Sequence, residues 1–98
     1  MQPFYSEEDI LPRLVFLPGW YWKSNQLERH YEFQSFGEAF AFLTRVALLA
    51  EQKNHHPDWK QSYCKIQITL TTHSKGGVTD KDLEMATLIE GYASGQNS

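Results

Sequence analysis

Hydrophobic and polar positions alternate with a period of two from Leu27 to Phe33. Leu27, Arg29, Tyr31 and Phe33 fall on one face and Glu28, His30 and Glu32 on the other, the pattern of a half-buried strand. Upstream, Val15–Leu17 and Trp20–Trp22 are β-prone stretches parted by Pro18-Gly19, and Ser24-Asn25 reads as a turn. A more regular alternation runs from Tyr63 to His73, with Cys64, Ile66, Ile68 and Leu70 inward and Tyr63, Lys65, Gln67, Thr69, Thr71 and His73 outward. Between these strands the period lengthens. Ser35 with Glu38 three positions on forms a capping box, and no proline follows until Pro57, so the spacing predicts a helix over Phe36–Lys53. It carries two apolar stripes: Phe36, Phe40, Leu43, Ala47 and Ala50, and beside them Ala39, Phe42, Val46 and Leu49. One stripe covers the sheet, and so short a domain leaves the other for a second subunit, a contact that charge at Phe42 or Val46 is expected to break.

The ends complete the pattern. Ser6-Glu7-Glu8-Asp9 starts a short helix that Pro12 interrupts. Gly76-Gly77 turns the chain, and Thr79 then caps a last helix with Asp82 in its first turn and Leu83, Ala86, Leu88, Ile89 and Tyr92 on its apolar side. The order helix, two strands, helix, strand region, helix predicts an α+β fold, an antiparallel sheet covered by helices on one face. The 98 residues suffice for one domain, with a core expected over about 13–93 and a compositionally mobile tail at 94–98.

Composition narrows the function classes. Twelve acidic against nine basic side chains give a formal net charge of -3, which provides no electrostatic footprint for nucleic acid or an anionic membrane. The acidic amino terminus and the lack of a long apolar run point to a cytoplasmic protein. A lone cysteine, Cys64, fits a reducing compartment and leaves any zinc to His and carboxylate ligands. Aromatic residues make up 14% of the chain, which argues against disorder and hints at a ring-binding surface.

Reactive groups concentrate where the long helix must stop, in Glu51-Gln52-Lys53-Asn54-His55-His56-Pro57-Asp58-Trp59. Proline disfavours helix at the residue before it, so His56 is expected to be extended while His55 stays at the helix end. The two rings then point apart. Glu51 precedes His55 by four positions, a spacing that predicts a carboxylate–imidazole contact fixing the ring's tautomer. Imidazoles titrating near neutrality move protons in either direction, and His73 adds a third at the end of the clearest strand.

Plainer readings exist for each residue. A helix-end histidine commonly caps the helix, Asp82 complements a helix amino end, Glu51 is a solvated helix residue, and Trp20 and Trp22 pack on a strand. A rival enzyme reading makes Glu51, His55, His56 and His73 ligands of a divalent metal in a small metal-dependent enzyme.

Glu51, three positions, His55, His56, Pro57, then Tyr63, nine positions, His73, and Asp82 beyond a glycine-containing turn together resemble the signature of the pterin-4a-carbinolamine dehydratases. The similarity runs from about Arg13 to Ala93 and includes Gly19-Trp20, Thr44-Arg45-Val46-Ala47 and Thr71-Thr72-His73. The resemblance implies a four-stranded antiparallel sheet with helices on one side, assembled as a homodimer or homotetramer. The implied activity is removal of water from 4a-hydroxytetrahydropterin to give quinonoid dihydropterin, recycling the cofactor of aromatic amino-acid hydroxylases, with no metal or other cofactor in the dehydratase itself. By position, His55, His56 and His73 become the catalytic histidines and Glu51 and Asp82 their supporting carboxylates. Trp20 becomes a pocket wall, and Asn54, Pro57, Thr71, Thr72 and Ser74 substrate contacts. Lys81 departs from the arginine of animal members, keeping the charge without the bidentate geometry. A different class of reading is a non-catalytic dimerisation module, since animal relatives also serve a homeodomain transcription factor. The second helix stripe leaves room for that.

Overall fold

The computed structural model describes residues 3–96. Three α-helices, α1 (Glu7–Ile10), α2 (Phe36–Lys53) and α3 (Asp80–Gln96), accompany four strands, β1 (Tyr21–Lys23), β2 (Gln26–Glu32), β3 (Asp58–Ser62) and β4 (Lys65–Leu70). All pairings are antiparallel, in the order β1-β2-β4-β3. Ser24 and Asn25, both at positive φ, make the two-residue β1–β2 hairpin, whose backbone matches the strand twist.

Register puts Leu27 opposite Leu70 and Tyr31 opposite Ile66, so the apolar faces of β2 and β4 form one surface. The core of Leu27, Tyr31, Phe33, Ile66, Ile68 and Leu70 is closed by Phe42, Val46 and Leu49 of α2 and by Met85, Ala86 and Ile89 of α3. Glu28, His30, Glu32, Lys65 and Gln67 point to the opposite, helix-free face. This is the α+β arrangement expected, four antiparallel strands with helices on one side.

Several expectations need correction. Val15 and Phe16 lie in a 3-10 turn (Arg13–Phe16), not a strand, with Phe16 84% exposed. Strand β4 is shorter than the Tyr63–His73 alternation, because Tyr63 takes positive φ in the hairpin before it and His73 begins a 3-10 turn (His73–Lys75) after it. Strand β3 escaped the periodicity because it is an edge strand, mostly exposed and polar in sequence. Ile10 of α1 is fully buried, which carries the core upstream of residue 13. Ser94, expected to be mobile, is helical, as are residues 95 and 96; residues 97 and 98 lie outside the described range.

The two stripes of α2 divide differently from the expectation. Phe42 and Val46 have no exposed surface and form core, whereas Phe36, Phe40 and Leu48 face outward, Phe40 at 57% exposure. Charge at Phe42 or Val46 would therefore attack the fold itself; Leu43 and Ala50 of the other stripe are buried too, so the apolar surface left to meet another subunit is that of Phe36, Phe40 and Leu48.

Candidate active site

Helix α2 ends at Asn54, which adopts the left-handed conformation at φ 50° and ψ 43°. The His55 amide donates back to the Ala50 carbonyl at 3.1 Å and the Asn54 amide to Glu51 at 3.3 Å, a Schellman ending that satisfies the last carbonyls. This turn swings the His55 ring off the helix face. The expected Glu51–His55 contact is therefore not formed: Glu51 Oε1 lies 3.0 Å from Nε2 of His56, with both side chains exposed.

His55 instead meets Asp82. Its Nε2 lies 2.6 Å from Asp82 Oδ1. Asp82 has no exposed surface, and the His55 side chain is only 12% exposed. The other carboxylate oxygen, Oδ2, accepts the Thr72 hydroxyl and the Thr79 backbone N–H, each at 2.8 Å. Thr79 and Asp82 thus form the amino-terminal box of α3, and the spare oxygen of that box grips a histidine 27 positions away. An ionised carboxylate only accepts hydrogen bonds, so the network assigns the imidazole proton to Nε2 and leaves the Nδ1 lone pair free.

His73 opens the 3-10 turn beside Thr72 and is exposed. That turn is closed by a bridge between Thr72 and Gly77 and by Gly76 at φ 84°, a conformation suited to glycine. Ser74 is exposed on the same turn and Pro57 is half-buried after His56. The Thr71 hydroxyl donates to the Asn25 carbonyl at 3.0 Å. Trp20 stands in a different group: it is 4% exposed, and its indole N–H donates to Glu90 Oε1 at 2.9 Å. The same oxygen takes Arg29 Nε at 2.8 Å and the Tyr31 hydroxyl.

A cavity of about 200 Å³ opens beside His55, lined also by Lys53, Lys81, Glu84 and Met85. Lys53 pairs with Glu84 at 2.8 Å. Lys53 and Glu84 lie 31 positions apart, with no local sequence pattern linking them. A larger concavity of about 450 Å³ occupies the helix-free sheet face between His30, Glu32, Lys60 and Lys65, but it holds none of the signature residues. Among the described residues no three His, Cys, Asp or Glu side chains converge as a metal-ligand group, so Glu51, His55, His56 and His73 do not gather at one point. Among the described residues no helix is long and apolar enough to cross a membrane.

Chemically the site offers a half-buried imidazole braced by a buried carboxylate, a second imidazole on the neighbouring turn and a third paired with Glu51. These are proton carriers, and of the three His55 lines the cavity.

The family model described as pterin 4 alpha carbinolamine dehydratase matches residues 3–92. A protein of Prochlorococcus marinus (strain MIT 9215), provisionally named a pterin-4-alpha-carbinolamine dehydratase, is 46% identical over 90 residues, covering 91% of this chain and 94% of that protein. A provisionally named counterpart in Synechococcus sp. (strain WH7803) is 49% identical over 85 residues, 87% of this chain and 89% of its own. Among solved structures, a transcriptional coactivator/pterin dehydratase from Brucella melitensis superposes with a TM-score of 0.88 at 35% identity, covering 92% of this chain and 98% of that one. A pterin dehydratase-like protein identified as a RuBisCO assembly factor in the alpha-carboxysome shares the fold, with a TM-score of 0.64 at 23% identity over 76% of this chain and 86% of its own.

Proposed function

This chain belongs to the pterin 4 alpha carbinolamine dehydratase family, and from that membership we propose that it removes water from a 4a-hydroxytetrahydropterin to give the quinonoid dihydropterin. The observation that carries the reading is the buried Asp82 contact, which fixes His55 in one tautomer.

The reaction needs two proton movements and no redox change. The bond between C4a and the hydroxyl oxygen breaks, and the oxygen leaves as water with a proton from an imidazolium. The neighbouring ring nitrogen gives its proton to a neutral imidazole, and the electron pair released closes the new C=N bond. With Nε2 committed to Asp82, His55 is suited to accept the ring-nitrogen proton at Nδ1, and His73 to supply the proton that leaves with water. His56, oriented by Glu51, serves substrate binding. Asn54, Pro57, Thr71 and Ser74 complete the pocket in this reading, with the pterin as small-molecule partner, while Trp20, 4% exposed and bound to Glu90, takes no part in it. The role is tetrahydropterin recycling in the cytoplasm, by a homo-oligomer that functions alongside an aromatic amino-acid hydroxylase, without metal or other cofactor.

Freshly generated 4a-hydroxytetrahydropterin is the test substrate. The purified chain, free of a histidine tag, should speed its dehydration well above the buffer rate and keep that rate after chelation. Dehydration at the buffer rate would overturn the reading, and a chelator-sensitive rate would favour the metal-dependent alternative.

A further inference from the structure

Thr72 is a buried residue whose polar atoms all reach the site's framework. Its hydroxyl donates to Asp82 Oδ2 at 2.8 Å. That carboxylate only accepts, so the 2.8 Å contact between Thr72 Oγ1 and Thr79 Oγ1 runs from the Thr79 hydroxyl to Thr72. The Thr72 N–H donates to the Gly77 carbonyl at 2.9 Å, and its carbonyl accepts from Lys75 and Gly76 at 2.9 and 3.0 Å. These backbone bonds close the turn that carries His73. One residue therefore ties the carboxylate behind His55 to the segment bearing His73.

We propose that Thr72 is a positioning residue for both histidines: its hydroxyl fixes the Asp82 carboxylate that orients His55, and its backbone fixes the turn that presents His73. The hydroxyl points into the Asp82 network, so its part in the reaction is exerted through Asp82 and not on the pterin. A carboxylate held by three donors has one orientation. With the Thr72 donor removed, Oδ2 keeps only the Thr79 amide, and the plane of the carboxylate, with the ring hydrogen-bonded to it, is free to rotate. Valine has nearly the same shape as threonine and would fill the space while leaving that oxygen short of a partner.

The kinetic consequence rests on the dehydratase reading, but the geometric one does not, and the experiment separates them. Thr72→Val should lower kcat by about 10-fold or more while KM stays within about two-fold, and Thr72→Ser, which keeps the hydroxyl, should restore most of the loss. In the absence of any pterin, proton NMR should show the His55 Nε2–H as a far-downfield, slowly exchanging resonance in the parent and in Thr72→Ser. It should be shifted or lost in Thr72→Val at unchanged overall fold. Thr72→Cys, with a weakly donating thiol of similar size, takes the place of the valine variant if that variant does not fold, with the same readouts. A folded variant lacking the hydroxyl that keeps both the parent kcat and the parent resonance would overturn the proposal. If the parent itself does not dehydrate the carbinolamine, the functional reading fails, and the resonance alone decides the role of Thr72.

Discussion

Asp82 Oδ1 lies 2.6 Å from Nε2 of His55, and Asp82 has no surface in contact with solvent. Helix α3 is thereby joined to the segment just past the end of α2 through a charge that has no recourse to water. A buried carboxylate is tolerated only when its lone pairs are engaged, and here they are, by His55, the Thr72 hydroxyl and the Thr79 amide. The tautomer of His55 follows from that arrangement, and with it the nitrogen available for chemistry.

Asp82 should then matter to both stability and turnover. Asp82→Ala strands three donors in a dry site and should destabilise the fold by at least about 1–3 kcal/mol, the scale for leaving a buried donor unsatisfied. Asp82→Asn keeps the shape, yet its amide cannot act as acceptor for all three donors, and turnover should fall by roughly 10²-fold or more. Urea denaturation midpoints and dehydration rates check the two effects. An Asp82→Asn variant with parent kcat would show that the carboxylate does not orient the reacting imidazole.

The outward face of α2 should hold copies of the chain together. Phe36 and Phe40 stack with ring centroids 6.4 Å apart on that face, and Leu48 is exposed further along it. Phe40→Asp should leave the fold intact and shift sedimentation toward monomer. Phe42→Asp should instead abolish the cooperative thermal transition, because it buries a charge in the core. A parent chain that sediments as a monomer at micromolar concentration would contradict self-association.

Alkaline pH should weaken the fold through its tyrosines. A hydrogen bond to Glu28 pushes the Tyr21 hydroxyl up to about 12, and burial together with Glu90 raises Tyr31 from its ordinary value of 10.0. Both groups are raised on folding, so their contribution is complete below pH 10, the unfolded value, and is lost as pH rises through the folded values. Glu28 has the opposite sense. The Tyr21 hydrogen bond, helped by His30, holds it below 4.5 against the effect of burial, so its contribution is present above that pH and lost as pH falls through the depressed value. Denaturation midpoints followed with tyrosinate absorbance should be flat between these limits, and Tyr21→Phe should remove part of the alkaline loss. Equal alkaline loss in Tyr21→Phe would contradict the assignment.

What the sequence revealed and what it hid divide along physical lines. Helix α2 was legible to the residue because a capping box opened it and apolar periodicity sustained it. Strand β2 was legible because one face is core and the other water. Strand β3 was not, since an edge strand such as Asp58–Ser62 needs no apolar alternation. The histidines, Glu51 and Asp82 were found by their signature, but their pairing was not. The i, i+4 rule joins Glu51 to His55 only if the helix continues, and the left-handed Asn54 ends it. Asp82 read locally as a helix-start carboxylate, which is correct for Oδ2; the partner of Oδ1 lies 27 positions away, beyond the reach of any local pattern.

The central claim is that His55 and His73 together move the two protons of a carbinolamine dehydration. Its most direct test is the dehydration rate of the parent, of His55→Ala, of His73→Ala and of the double variant, each measured across neutral pH on freshly generated 4a-hydroxytetrahydropterin. Each single loss should cost roughly 10²-fold or more, and the double variant should approach the buffer rate. Full activity in the double variant would contradict the mechanism outright.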